Sequence, residues 1–150
     1  MTVSRSAPAP AGAGRPSPRE EGIAAMDYDA DRAPDPEAWL AAGEGERLEA
    51  VERHHAGLSG HARTPKPRLH AALHQVVENQ LALDQPPEAR RALARLIAGG
   101  LPRHEAVHAL GLLVANAAAA ALEGKTYDPA THARELDALT VERWKSLGRE

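Results

Sequence analysis

An all-α fold, a small helical bundle of four to five helices, is predicted by three observations. Apolar residues recur at helical spacing in several separate stretches, and none alternates over the length of a strand. Phe is absent, Trp and Tyr number two each, and the apolar content is chiefly Ala, Leu and Val. So thin a core suits closely packed helices better than a broad sheet. Pro and Gly fall between the periodic stretches, where they end helices and leave short connections. No repeat at a solenoid period is visible.

Taken in order, residues 1–33 read as a disordered Ala/Pro-rich tail, because the run from Ser6 to Gly14 has almost nothing to bury. Residues 34–150 form the predicted helical-bundle domain. It opens at Asp35-Pro36-Glu37, where Asp caps and Pro suits the first turn, with Trp39 and Leu40 as anchors. After Gly43 the pattern resumes at Glu46, places Leu48, Val51 and His55 on one face, and ends near Gly57. A polar connector from His61 to Lys66 leads into a helix over 67–83 with the stripe Leu69, Leu73, Val76, Val77 and Leu81. Asp84 caps at the next junction, Asp84-Gln85-Pro86-Pro87-Glu88. The third helix buries Ala89, Leu93, Leu96 and Ile97, exposes Arg90, Arg91 and Arg95, and closes at Gly99-Gly100. Pro102 starts a fourth helix over 102–122, reaching as far as Gly124. A terminal helix after Asp128-Pro129 buries Leu136, Leu139, Trp144 and Leu147.

Composition excludes several function classes. At 150 residues and 15.9 kDa the chain has room for one domain and a tail. A formal charge of −3 and a pI near 6.2 give no field that would favour nucleic acid. Cys is absent, which removes disulfides, thiolate metal sites and cysteine nucleophiles, so a metal would be held by His, Asp, Glu or water. No apolar signal region is visible near the start, and the greasy run 112–122 is interrupted by Asn116 and shorter than a bilayer requires. A cytoplasmic protein with no membrane partner is expected, and homodimerisation is left open.

The chemistry-bearing stretches are the second and fourth helices. His70 and His74 stand four residues apart, as do His104 and His108. Four residues advance a helix by about 6 Å and turn it about 400°, so His70, His74 and Glu78 share one edge, and His104 and His108 share another. If the edges face each other across a usual interaxial distance of roughly 8–10 Å, four imidazoles converge on one point. Imidazole suits divalent transition metals, zinc or iron foremost here. The expected metal residues are therefore His70, His74, Glu78, His104 and His108. Glu78 and Glu105 are candidates for ligand, for orienting partner, or for a base acting in metal-assisted hydrolysis; Glu105 is the candidate catalytic residue.

His104-Glu105-Ala106-Val107-His108 matches H-E-x-x-H, the helix motif of zinc proteases, and the longer pattern's glycine falls at Gly111. Its third histidine would fall at Val114, so that ligand is missing, and no edge strand for an extended peptide is apparent. A metalloprotease is accordingly the weaker alternative. The blander alternative is a metal-free interaction module in which both histidine pairs hydrogen-bond to Glu78 and Glu105. The remaining histidines carry simpler explanations. His54 and His55 end a helix, where a cation is favoured, although His55 also has an inward register. His61 and His132 read as solvated, Arg90, Arg91 and Arg95 as an exposed face, and Ala117–Ala121 as a tight packing surface.

Read together, Pro67-Arg68-Leu69-His70-Ala71-Ala72-Leu73-His74, then Glu78-Asn79-Gln80-Leu81, Pro86-Pro87 and Arg103-His104-Glu105-Ala106-Val107-His108 form an ordered pattern. In this pattern the chain resembles a family of short bacterial proteins catalogued as domain of unknown function 1841. The resemblance spans residues 65–122, roughly two fifths of the chain. It implies that the helix boundaries and both histidine pairs form a unit, and it brings no activity. The long Ala/Pro tail and the Ala-rich fourth helix depart from the family's pattern.

Overall fold

The computed structural model describes residues 26–58 and 66–147. Among these residues there are seven helices and no strand: α1 (Pro36–Ala41), α2 (Glu44–Ala56), α3 (Pro67–Leu83), α4 (Pro87–Ala98), α5 (Arg103–Leu122), α6 (Pro129–Ala138) and α7 (Val141–Leu147). The all-α expectation holds. The count exceeds four to five because short helices are set off at both ends of the chain. Ala42 and Gly43 take extended backbone between α1 and α2. Leu139 does the same after α6, dipping into the core at 1% exposure, and the Thr140 hydroxyl then accepts from the Arg143 amide to start α7.

Local chemistry explains the boundaries. Asp35 and Asp128 accept from backbone amides of the first turns of α1 and α6, and a proline follows each of them in that turn. Asp84, expected as a cap for the helix that follows, instead ends α3 in the left-handed conformation at φ 53°, and its carboxylate pairs with Arg90 at 3.5 Å. Gly100 has φ +105°, which favours glycine, and a Cβ on Gly99 would lie 2.6 Å from the Val141 side chain, so Gly99 is kept small by its packing partner.

Helix α3 is the middle element: α2 and α5 pack most extensively on it, and α1 and α4 also touch it. It serves two cores. Ala71 joins Tyr28, Ala30, Trp39, Ala50 and Val51 in one. Val77 and Leu81 join Leu96, Val107, Leu110 and Leu136, among others, in the second. Ala71, Ala106 and Ala109 are fully buried, which brings the helix axes close in a protein without Phe. The stripe read along α3 is narrower than expected, because Leu69 and Val76 are exposed and His74 and Glu78 take buried places. Ile97, expected in the core, is likewise exposed, and Ala92 lies inside instead.

The N-terminal residues described also correct an expectation. Residues 26–33, assigned by composition to the tail, pack on the bundle: Tyr28 is 8% exposed and Ala30 fully buried. Arg53 and Arg103 donate to the carbonyls of Met26 and Ala30. The rest of the predicted tail lies outside the described residues, as does His61. Helix α5 is long and apolar enough, by length and composition, to cross a membrane. Its first half is core, with Ala106, Val107, Ala109, Leu110, Gly111 and Leu113 all buried, and that half carries two histidines.

Candidate metal centre

The two histidine edges face each other. His70 and His74 project from α3 and His104 and His108 from α5, and a fifth imidazole, His55 from the last turn of α2, joins them. One ring nitrogen from each of the five lies within 4.8 Å of all the others. Three separations between Nε2 atoms are short: His55 to His74 at 3.1 Å, His55 to His104 at 3.2 Å, and His70 to His108 at 3.1 Å. His55 and His74 are buried, and the other three are half-buried.

These distances have a direct chemical reading. With metal–nitrogen bonds of about 2.0–2.1 Å, two nitrogens at neighbouring positions on one ion stand roughly 2.9–3.4 Å apart, and about 4.2 Å apart across it. The 4.8 Å bound on the cluster is slightly wider than one coordination sphere, so a small inward shift of the rings would bring the nitrogens onto a single ion. Two ions roughly 3.5–4 Å apart would spread their outermost nitrogens over about 7 Å, which is wider than this cluster. The donor set is all nitrogen, which suits zinc, iron, copper or nickel.

Outer hydrogen bonds orient the rings. His55 Nδ1 lies 2.8 Å from the Val51 carbonyl, which can only accept, so Nδ1 carries a proton and Nε2 is the nitrogen directed at the cluster. The Tyr28 hydroxyl stands 3.3 Å from His74 Nδ1, where it can donate to the ring or accept from it, and so positions that ring. Burial pushes the Tyr28 hydroxyl far up from its ordinary pKa, so it keeps its proton. Burial first, and then the four neighbouring imidazoles, drive His74 far below the usual imidazole range. The electrostatics therefore hold His74 in the neutral form that a metal requires.

The two carboxylates are placed elsewhere. The Glu78 side chain is fully buried on the same edge of α3, but it accepts from Arg103 at 2.8 Å. Burial raises the Glu78 carboxyl above its ordinary range, and the Arg103 guanidinium opposes that shift. Arg103 also donates to Ala30, so this pair ties α3 and α5 to the N-terminal strap beside Tyr28. Glu105 is exposed and accepts from the Trp144 indole at 3.1 Å. Neither belongs to the five-residue group, whereas His70, His74, His104 and His108 all do.

Sequence reasoning missed two participants. His55 had a visible signal, since it follows Leu48 and Val51 on the inward face, but its place at a helix C-terminus offered a sufficient electrostatic explanation. Tyr28 had none, sitting in a stretch whose composition argues against order. His132, read as solvated, is buried at 4% exposure, with Nε2 3.4 Å from the Gln80 amide nitrogen. Compared with protein families, with curated proteins and with solved structures, the chain matches none.

Proposed function

We propose that the protein is a helical metal-binding protein that holds one divalent transition-metal ion through His55, His70, His74, His104 and His108. The observation carrying this reading is the convergence of five ring nitrogens, from three helices, within 4.8 Å. His55 Nε2 stands at 3.1 Å from His74 Nε2 and 3.2 Å from His104 Nε2, so a single ring nitrogen of α2 meets both histidine edges. A bound ion would supply Lewis acidity at any coordination position the imidazoles leave open. Glu78 is engaged by Arg103 and Glu105 by Trp144, so neither is assigned as a base.

The rival reading is a metal-free module in which the same rings pin three helices together. Elemental analysis of protein purified without a polyhistidine tag separates the two. One ion per chain is expected, with retention lost in His74→Ala and in His55→Ala. A chelator should then lower the melting temperature, because an ion bound only by the folded state stabilises it. Sub-stoichiometric metal that is indifferent to both substitutions would refute the proposal.

A further inference from the structure

A cavity of about 260 Å³ opens beside the cluster, and His70, His74 and His108 form one of its walls. The remaining lining comes from Leu73, Val107, Gly111, Leu112 and Ala115, with Trp144 of α7 alongside. No Asp, Glu, Lys or Arg lines it. Three other cavities differ: one of about 490 Å³ holds Glu78, Arg90 and Arg103, one of about 440 Å³ holds Asp27, Asp29 and Arg32, and one of about 250 Å³ holds Lys125, Asp128 and Glu135. Trp144 is held in place, because its indole N–H is committed to Glu105.

Size and lining together define an occupant. An apolar cavity of about 150 Å³ accepts benzene, so this one has room for a substituted or two-ring molecule. The lining offers dispersion contacts and an indole ring but no charged side chain, so away from the histidines a charged group would find no partner there. The polar groups in the lining are three imidazoles of the metal cluster. Small-molecule sites commonly combine these two elements, an apolar lining and a few convergent polar groups.

We propose that this cavity binds a small, neutral, largely aromatic molecule carrying one lone-pair donor atom, with the ring between Leu112, Ala115 and Trp144 and the donor directed at the histidine wall. The orientation of the donor rests on the metal reading given above; the apolar seat does not. The test uses the full chain loaded with Co(II) and titrated with 4-phenylimidazole, with imidazole as the comparison, read by the visible spectrum of the ion and by tryptophan fluorescence. The phenyl compound is expected to bind at least tenfold more tightly than imidazole. Ala115→Phe, which fills the seat, and Leu112→Asp, which makes it polar, should each remove that advantage while leaving Co(II) content unchanged. Equal binding of the two probes, or an advantage that survives Ala115→Phe, would overturn the proposal. If no Co(II) spectrum develops, the metal reading fails by itself. Calorimetry of 4-phenylimidazole with chelator-treated protein then decides the seat alone: heat that Ala115→Phe abolishes supports it, and no heat refutes it.

Discussion

His74 of α3 and His132 of α6, the latter set against Gln80 of α3, are both buried histidines, at 2% and 4% exposure, and burial lowers the pKa of both. Their surroundings differ completely. His74 has four imidazoles around it and an orienting hydroxyl behind it. His132 meets the Gln80 side chain, and both His132 Nδ1 and Gln80 Oε1 lack a hydrogen-bond partner. Burial alone makes an imidazole neutral; only convergence with others gives it the geometry of a ligand. The same difference appears in what stands behind each ring. Behind His74 lies a buried ion pair linking α3 to α5, and behind His132 a single amide.

Three measurements probe this contrast, and the largest effect is expected where a charge would be stranded. Arg103→Ala leaves the Glu78 carboxylate buried without its partner, a change that typically costs about 3–5 kcal/mol. Gln80→Leu removes a long 3.4 Å contact that already satisfies His132 poorly and should cost about 1 kcal/mol, below the loss at Arg103. Denaturant midpoints of the two variants would measure the gap, and similar small losses in both would erase the distinction.

The next effect is on pH dependence in chelator-treated protein. A histidine whose pKa is depressed by folding binds its proton more readily when the chain unfolds, so stability is retained above the unfolded value near 6.5 and falls as pH drops below it. Each fully depressed group adds about 1.4 kcal/mol per pH unit to that slope. Unfolding midpoints between pH 7.5 and 5 should therefore fall, and His74→Leu should flatten the profile more than His132→Leu. A profile that rises on acidification would contradict the assignment of neutral rings. The smallest effect is expected at Glu105. Glu105→Gln preserves an acceptor for Trp144 and should leave metal content unchanged and stability within about 0.5 kcal/mol. Loss of metal in that variant would return Glu105 to the centre.

The legible part of the molecule was the part written in local chemistry. Asp35-Pro36, Asp128-Pro129 and Gly99-Gly100 mark helix ends through caps and backbone preferences that act within one turn. The pairs His70/His74 and His104/His108 were visible because helical spacing alone puts each pair on one edge. What could not be read was decided by tertiary neighbours. Glu78 has the right register for a ligand, but its partner arrives from Arg103, 25 residues further on. Glu105 completes a motif in letters, while in space it serves the indole of a helix 39 residues away. His55 and Tyr28 acquire roles only when α2 and the strap close on α3.

The strap formed by residues 26–33 changes what counts as the edge of this protein. Beyond Tyr28 against His74, the Ala30 carbonyl receives Arg103, the Ala30 amide donates to His54, and the Asp31 carboxylate receives the His104 amide. A shortened chain beginning at residue 34, as low complexity would recommend, would open one side of the histidine chamber to solvent and strip a partner from each of these groups. The most expendable-looking letters described here are a wall of its interior.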